Sequence, residues 1–224
     1  MLKKIAIVSS NYVSIKSFLS NQIENLSKNY LVNIYTNIEN ADNLFGNMNK
    51  NIKFIHLPIK RNVNLFKDLE CFFKLIFFIF KFKPDLMMTL TPKGGLLGML
   101  TSFILNVKIR IHYYTGQVWV TRKGFKKKLL KQVDNIIFKM STDCLTDSNQ
   151  QKKFLEDERV VKKDFLNVLA NGSICGVDSS RFRLNLENRE IIRKQLGISA
   201  DTILLLFLGR LNKDKGILDL ADAV

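Results

Sequence analysis

Cysteine, proline and glycine are scarce in this chain of 224 residues, and each scarcity excludes a class of protein. With 3 Pro and 11 Gly, the chain is neither collagen-like nor a Pro-rich linker. The three cysteines, Cys71, Cys144 and Cys175, are widely spaced and form no Cys-x-x-Cys pair. Neither a disulfide framework nor a zinc cage is therefore predicted, and a reducing compartment is favoured.

Acidic residues are also few, since 20 Asp and Glu face 35 Lys and Arg, which gives a formal net charge of +15. Such an excess favours an anionic partner: a membrane surface, a phosphorylated substrate or a nucleic acid. A bias of the source proteome toward Lys, Asn and Ile is the alternative explanation. We expect no nucleic-acid binding, because no nucleic-acid motif accompanies the charge and the aromatic residues lie in apolar runs.

Short apolar runs alternate with segments of helical periodicity over most of the chain. The predicted strands are 4–10, 31–36, 52–57, 85–91, 108–114, 143–147 and 167–170, and the predicted helices are 14–28, 65–82, 94–105, 124–140 and 148–156. This alternation predicts βαβ units. The expected fold is therefore α/β and Rossmann-like, with a mostly parallel sheet and helices on both faces. The apolar run at the amino terminus is too short for a signal peptide.

The pattern becomes loose and polar around residues 171–186, and we place a domain boundary there, giving domains 1–186 and 187–224. A short polar helix is predicted at 188–196. Thr202–Leu208 is a continuous apolar run, typical of a strand buried on both faces of a parallel sheet. A helix then begins at Ile217. One strand and part of a helix cannot bury a core, so 187–224 is expected to open a second domain whose remainder is absent.

Turns after the strands are the first candidates for a site, because open α/β sheets bind ligands at the carboxyl ends of their strands. The turn at Ser9–Ser14 lacks Gly-x-Gly-x-x-Gly, which argues against a dinucleotide cofactor. After the fourth strand, Lys93, Gly94 and Gly95 begin a helix whose free backbone N–H groups suit an anion. A tight turn with a solvated lysine is the alternative.

The fifth strand and the turn after it carry His112, Thr115, Gly116 and the only tryptophan, Trp119. His112 is a candidate acid, base or hydrogen-bond donor to a sugar hydroxyl. A lone histidine is more often a satisfied structural residue, and that alternative stays open.

Two helical segments have features that suit a membrane surface. Residues 122–131 are rich in Lys and Arg on one face of an amphipathic helix, a pattern typical of helices on anionic bilayers. A solvated outer face is the alternative. The aromatic segment 71–82 is too short and too interrupted by lysines to span a bilayer. Deep burial against the sheet is our first interpretation of it, and a membrane-dipping face is the second.

The segment Gly209–Gly216 follows the apolar run of the second domain and precedes a helix. Arg210 offers a planar fork of donors and Lys215 a point charge, so a diphosphate suits this turn. Taken alone, the pattern is weak.

Together these motifs resemble family 4 glycosyltransferases of GT-B fold, in particular those that build bacterial capsule, exopolysaccharide and O-antigen repeats. The residues that carry the resemblance are Thr91–Leu100, Thr115–Gly124, Asp147–Gln150, Asn171–Phe182 and Gly209–Gly216. The resemblance implies two Rossmann-like domains with a cleft between them. It also implies a cytoplasmic enzyme, peripheral on the inner face of the cytoplasmic membrane, that transfers with retention and needs neither a cofactor nor a metal.

The resemblance further implies which residues face each substrate. The amino-terminal domain would hold a saccharide on undecaprenyl diphosphate, and the carboxy-terminal domain a nucleotide sugar, UDP-linked. The acceptor-side residues would be Lys93, Gly94, Gly95, Thr115 and Gly116, and the donor-diphosphate residues would be Gly209, Arg210 and Lys215. The two basic residues would neutralise the diphosphate as it leaves.

Two departures from the family pattern limit what is implied. Many relatives place a histidine directly before the glycine of the fifth strand, where this chain has Thr115; His112 lies three residues earlier and is the catalytic candidate. The family's acidic pair, Glu-x7-Glu, would lie beyond Val224. We therefore expect the 224-residue chain alone to transfer no sugar. The alternative function is a non-catalytic lipid- or anion-binding half of a two-chain glycosyltransferase.

Overall fold

The computed structural model describes residues 2–38, 49–60, 64–211 and 213–223. The chain forms two compact units, Met1–Gly176 and Val177–Val224. The boundary predicted at residue 186 lies inside the second of these units. Asn212 of the predicted turn and Val224 of the predicted last helix lie outside the described residues.

Seven strands form one sheet in the first unit, and every neighbouring pair is parallel. They are β1 (Lys3–Val8), β2 (Tyr30–Thr36), β3 (Ile52–His56), β4 (Leu86–Leu90), β5 (Ile109–Tyr114), β6 (Asp143–Thr146) and β7 (Leu166–Val168). Their order across the sheet is β3-β2-β1-β4-β5-β6-β7. The direction of winding therefore reverses between β1 and β4. The predicted α/β, Rossmann-like fold is confirmed.

Five helices connect these strands: α1 (Tyr12–Ser27), α2 (Leu65–Phe82), α3 (Pro92–Ile104), α4 (Gly124–Met140) and α5 (Asn149–Asp157). Local chemistry sets the ends of α2. The Asn64 side chain accepts a hydrogen bond from the Lys67 backbone N–H at 3.1 Å, which caps the first turn. Lys83 adopts a left-handed conformation at the other end, directly before Pro84, which cannot continue a helix.

The two faces of the sheet have separate apolar cores because side chains alternate along each strand. Ile5 and Ile7 of β1 pack with the α1 residues Ile15, Leu19 and Ile23 on one face. The opposite face joins β1 to three helices. The buried side chains there include Ala6, Val8, Cys71, Leu75, Ile79, Leu97, Met99 and Ile137, so α2, α3 and α4 form one layer.

The prediction that α2 is deeply buried is wrong. Cys71, Leu75 and Ile79 face the sheet, whereas Phe73 and Phe77 are exposed to solvent. The helix lies at the end of the layer beside α3, so only one of its sides meets other elements, although apolar residues occupy the others as well. Among the described residues, no helix is both long and apolar enough to cross a membrane.

The second unit contains helix α6 (Leu186–Gln195), a 3-10 turn (Lys213–Lys215) and helix α7 (Ile217–Ala223). The prediction of a buried strand at Thr202–Leu208 is wrong, since this segment forms no strand and Ile203, Leu205 and Leu208 are exposed. A parallel strand needs a neighbouring strand to pair with and apolar layers on both faces. The described residues of this unit form no strand with which Thr202–Leu208 could pair.

Candidate functional site

The candidate site lies at the carboxyl edge of the sheet, where the winding direction reverses. Strands β1 and β4 are neighbours, and β5 lies next to β4. Because all are parallel, the turns that follow Val8, Leu90 and Tyr114 meet at one edge. Such a reversal opens a crevice between the turns, and it is the usual ligand position in open α/β sheets.

A strained residue joins β4 to α3 at this edge. Thr91 has φ 63° and ψ 147°, a conformation that β-branched residues rarely adopt and that costs on the order of 1–3 kcal/mol. Its Oγ1 accepts a hydrogen bond from the Ser10 backbone N–H at 3.1 Å. The start of α3 has no side-chain cap, because Thr91 Oγ1 accepts no hydrogen bond from an N–H group of this helix. The uncapped N–H groups face the edge at which an anion was predicted.

Gly94 allows the turns after β1 and β4 to touch. A Cβ at this position would lie 3.0 Å from both the Ser10 backbone nitrogen and the Ser9 Cα. Backbone atoms cannot move aside as a flexible side chain does, so only glycine fits. The glycine that was predicted to admit a ligand is thus also required by the packing of the two turns.

Lys93, predicted to bind an anion, is paired with a carboxylate from a neighbouring helix. Its Nζ lies 2.8 Å from Asp68 Oδ1 and 3.0 Å from Oδ2, and both side chains are largely buried. The pair joins the first turn of α3 to the first turn of α2. Asp68 offsets the charge of Lys93, so an anion here would be held mainly by backbone N–H groups.

His112 lies on β5 beneath this edge and is buried. Its Nδ1 shares a 2.7 Å hydrogen bond with Thr89 Oγ1, and its ring meets Tyr114 edge-on at 4.5 Å between centroids. Burial lowers the pKa of His112 to about 3, because the charged form would lose its hydration. The imidazole is therefore neutral near pH 7, and its predicted catalytic role is limited to that of a neutral group.

Gly95 provides the space that the His112 ring fills. A Cβ on Gly95 would lie 2.5 Å from His112 Cε1, far inside van der Waals contact. We expect Gly95→Ala to lower the free energy of unfolding by about 1–2 kcal/mol, since overpacking by about 1–3 kcal/mol outweighs the helix propensity gained. Urea denaturation of both proteins measures this difference.

Gly116→Ala is the matched control for that substitution. Apart from its two neighbours in the chain, no residue that the structure describes has an atom within 4 Å of a Cβ added to Gly116. We expect this variant to stay within about 0.5 kcal/mol of the wild type. Equal denaturation midpoints for the two alanine variants would contradict the packing role of Gly95.

A buried carboxylate behind the edge was missed by the sequence reasoning. Asp134 on α4 is buried, and its Oδ2 accepts a 2.7 Å hydrogen bond from Trp119 Nε1. The Asp134 carbonyl accepts another from the Tyr114 hydroxyl at 2.8 Å. Burial raises the pKa of Asp134 to about 6, only partly offset by the Trp119 bond. The sequence does contain a signal for this residue: Asp134 lies between Val133 and Ile137, on the apolar side of an amphipathic helix.

These residues enclose a small cavity at the edge. Its lining includes Thr91, Pro92, His112, Thr115, Gly116 and Asp134. The cavity therefore lies between the turn after β4 and the turn after β5. Its volume of about 10 Å³ holds roughly one water molecule. A ligand larger than a water molecule therefore does not fit inside this cavity and could contact only the rim formed by the turns.

The turn after β7 is held by the turn after β6. The Asp147 carbonyl accepts a hydrogen bond from the Ser173 N–H at 2.8 Å, and Asp147 Oδ1 accepts one from the Ile174 N–H at 2.9 Å. Gly172 has φ 99°, and a Cβ there would collide with the Asp147 carbonyl oxygen. Two motifs of the resemblance, 147–150 and 171–182, thus meet through one hydrogen bond to the Asp147 backbone and one to its side chain, which gives Asp147 and Gly172 structural roles.

The predicted donor residues belong to the second unit. Arg210 and Lys215 are both exposed, and Lys215 ends the 3-10 turn. Gly209 lies beside the ring of Phe207, whose nearest atom would be 3.4 Å from an added Cβ. No group of three or more His, Cys, Asp or Glu side chains suited to a metal ion occurs in the described part of the chain.

The topology and the site together define a Rossmann-like domain with a ligand edge at its reversal point. The structure of sucrose-phosphate synthase from Thermosynechococcus elongatus matches 99% of this chain and 59% of that chain, with a TM-score of 0.70 and 17% sequence identity. This likeness confirms the fold. No protein-family model matches the chain.

The sequence relatives of the chain are bacterial glycosyltransferases. The capsular polysaccharide biosynthesis glycosyltransferase CapM of Staphylococcus aureus is 33% identical over 164 residues, which are 73% of this chain and 43% of that protein. The UDP-Gal:alpha-D-GlcNAc-diphosphoundecaprenol alpha-1,3-galactosyltransferase of Escherichia coli is 26% identical over 164 residues, 73% of this chain and 41% of that protein. The chain thus spans less than half of each relative. The predicted resemblance to bacterial polysaccharide glycosyltransferases of GT-B fold is confirmed.

Proposed function

We propose that the protein is a glycosyltransferase of bacterial surface-polysaccharide synthesis. In this proposal it transfers a sugar from a UDP-linked donor to a saccharide carried on undecaprenyl diphosphate, at the inner face of the cytoplasmic membrane. The observation that carries the proposal is the convergence of the motif-bearing turns at the reversal point between β1 and β4. The similarity to CapM and to the Escherichia coli galactosyltransferase supports it, because the name of the latter pairs UDP-Gal with a diphosphoundecaprenol acceptor.

The acceptor is proposed to bind across the turns after β4 and β5. The uncapped N–H groups at the start of α3 suit the diphosphate of a lipid-linked saccharide, since a helix start carries partial positive charge. Thr115 and Gly116 form the opposite rim and offer a hydroxyl and backbone groups to sugar hydroxyls. Lys93 acts here by fixing the helix start to Asp68.

The donor diphosphate is proposed to bind Gly209, Arg210 and Lys215. Two exposed cations five residues apart in the sequence, Arg210 and Lys215, would suit a diphosphate better than a single charge. Their positive charge would stabilise the negative charge that develops on the nucleoside diphosphate as it leaves. Transfer with retention and without a metal belongs to the same proposal. Because His112 is neutral, it contributes a hydrogen bond and no positive charge.

Binding of UDP to the 224-residue protein tests the donor part of this proposal. We expect Arg210→Ala and Lys215→Ala to weaken UDP binding about tenfold or more each in isothermal titration calorimetry, because each removes a charge-assisted contact. The matched control is Lys213→Ala, which removes a cation from the same 3-10 turn. Equal weakening by all three variants would contradict a specific diphosphate site.

Binding of the acceptor tests the other half of this proposal. A short-chain polyprenyl diphosphate saccharide in detergent micelles is expected to bind the wild-type protein and to perturb the amide resonances of residues 93–95 and 115–116. Binding of this acceptor without any binding of UDP would support the acceptor assignment and contradict the assignment of the donor diphosphate to Gly209, Arg210 and Lys215. Binding of UDP alone would contradict the acceptor assignment.

A further inference from the structure

Helix α2 exposes a row of large apolar side chains along one side. Phe66, Phe73 and Phe77 are 89%, 60% and 61% exposed, and Leu69 and Phe80 lie on the same side. Their spacing of three and four residues places them in one stripe, which we call the α2 ridge (Phe66, Leu69, Phe73, Phe77 and Phe80). From Phe66 to Phe80 this ridge is about 21 Å long. A contiguous aromatic surface of this kind on a soluble domain marks a binding surface.

The ridge is bordered by positive charge, and the negative charges of α2 are neutralised. Asp68 pairs with Lys93, and Glu70 pairs with Lys74 at 2.5 Å. Lys67 and Lys81 are exposed on the same helix. Lys83, just after it, places its Nζ 6.0 Å from the centroid of the Phe80 ring. The helix therefore presents aromatic rings with a net positive border.

Neighbouring helices extend this surface. Helix α3 packs between α2 and α4 in the same layer, so the outward sides of the three helices form one surface. On α3, Phe103 is exposed, and the Arg110 guanidinium lies 5.6 Å from its ring centroid. On α4, Phe125 and Leu129 are exposed among lysines. The outward surface of a sheet-covering layer is normally polar, whereas here it combines apolar and basic groups.

We propose that the α2 ridge is a docking surface for a lipid bilayer that contains anionic lipids. Aromatic side chains that lie between lysines suit the boundary of headgroups and acyl chains, where rings enter the apolar layer and ammonium groups reach the phosphates. Each basic residue near such a surface adds electrostatic attraction to anionic headgroups. A protein partner fits less well, because lysine is depleted in protein–protein interfaces.

Docking through this ridge would also set the height of the acceptor edge above the membrane. The largely buried pair of Asp68 and Lys93 joins the first turn of α2 to the first turn of α3, and Thr91 lies directly before the first turn of α3. A rigid link of this kind holds the turn after β4 at a fixed distance from the docked helix. The inference rests on the proposed function only in this step, since a lipid-linked acceptor would then meet the edge from the bilayer.

Cosedimentation of the 224-residue protein with vesicles tests the docking surface without any sugar substrate. The probe is a vesicle of phosphatidylcholine with phosphatidylglycerol, compared with phosphatidylcholine alone. We expect binding to the anionic vesicles, and binding about tenfold weaker for Phe73→Ser/Phe77→Ser. The matched control is Leu2→Ser/Val13→Ser, which also removes two exposed apolar side chains outside the ridge and is expected to bind as the wild type does.

A fluorescence measurement keeps the proposal testable if the double variant folds poorly. In Phe77→Trp, the new indole is expected to shift its emission to the blue on anionic vesicles and to be quenched by brominated acyl chains. Trp119 is buried and gives a constant background. Val13→Trp is the control and is expected to show neither change.

Three results would overturn the proposal. They are equal cosedimentation of Phe73→Ser/Phe77→Ser and the wild type, an unquenched Phe77→Trp, and a wild-type dimer that dissociates on these substitutions without any vesicle binding. The last result would assign the ridge to a second copy of the chain. Vesicle binding by a protein that binds neither UDP nor the acceptor would leave docking supported and the proposed function refuted, so the two failures are distinguishable.

Discussion

Replacing Trp119 with alanine is expected to lower the free energy of unfolding by about 3–5 kcal/mol, the largest single effect that we predict. The indole is 1% exposed and stacks on Phe154 with 5.5 Å between ring centroids and 16° between planes. Its Nε1 donates to Asp134 Oδ2 at 2.7 Å. The substitution would leave a large cavity and also remove the donor to a buried carboxylate, and these two costs add. Urea denaturation followed by circular dichroism measures the loss.

A second variant separates the two costs. Trp119→Phe keeps an aromatic ring and much of the apolar volume but removes the N–H donor, so we expect a loss of about 1–3 kcal/mol for it. Lys127 Nζ and Lys131 Nζ lie 5.7 and 5.6 Å from the indole ring centre, and in this variant the phenylalanine ring would still offer them an aromatic face. A loss below about 1 kcal/mol for Trp119→Ala would contradict the view that this indole anchors the turn between β5 and α4.

The fold was predictable from the sequence because its signals are local. The predicted helices Leu65–Phe82 and Gly124–Met140 match the observed bounds, since Pro84 ends the first and Gly124 begins the second. The strands between them are short β-branched or apolar runs bounded by turns. Alternation of the two patterns restricts the topology to parallel βαβ units.

Contacts between distant residues were not predictable, and the errors arise there. The sequence of α2 shows that the helix is apolar on more than one side. Whether another element covers each side depends on the position of α2 at the end of the helical layer. Lys93 gains its partner Asp68 from a helix 25 residues earlier. The run at Thr202–Leu208 has the composition of a buried strand, but composition supplies no strand to pair with.

The candidate site was predictable in position and less so in chemistry. Strand ends fix the carboxyl edge, so Lys93, Gly94, Gly95, Thr115 and Gly116 were found from turns alone. Charge state depends on burial, which the sequence does not give. His112 is neutral because it lies under the edge, and Asp134 matters because α4 turns it inward against Trp119. The predicted roles of these site residues in binding and catalysis stay predictions.

The stability of the protein is expected to fall between about pH 4 and pH 6 through Asp134. Its pKa is raised from 3.8 to about 6 by burial, so in this window the native state holds a proton that the unfolded state has released. Where the native state binds more protons, stability decreases as the pH rises. The shift of about 2 pKa units corresponds to roughly 3 kcal/mol, present below pH 4 and lost by about pH 7.

Asp134→Asn isolates this contribution from all other titrating groups. The amide oxygen can still accept from Trp119 Nε1, and the amide does not ionise. We therefore expect the stability of the variant relative to the wild type to increase by about 2–3 kcal/mol as the pH is raised from 4 to 7. Urea denaturation at half-unit pH intervals gives this difference directly. Asp201→Asn, a change at an exposed carboxylate, is the control. If the curves of Asp134→Asn and the wild type run parallel, the carboxylate is hydrated in the native state, and the buried hydrogen bond to Trp119 does not hold it as described.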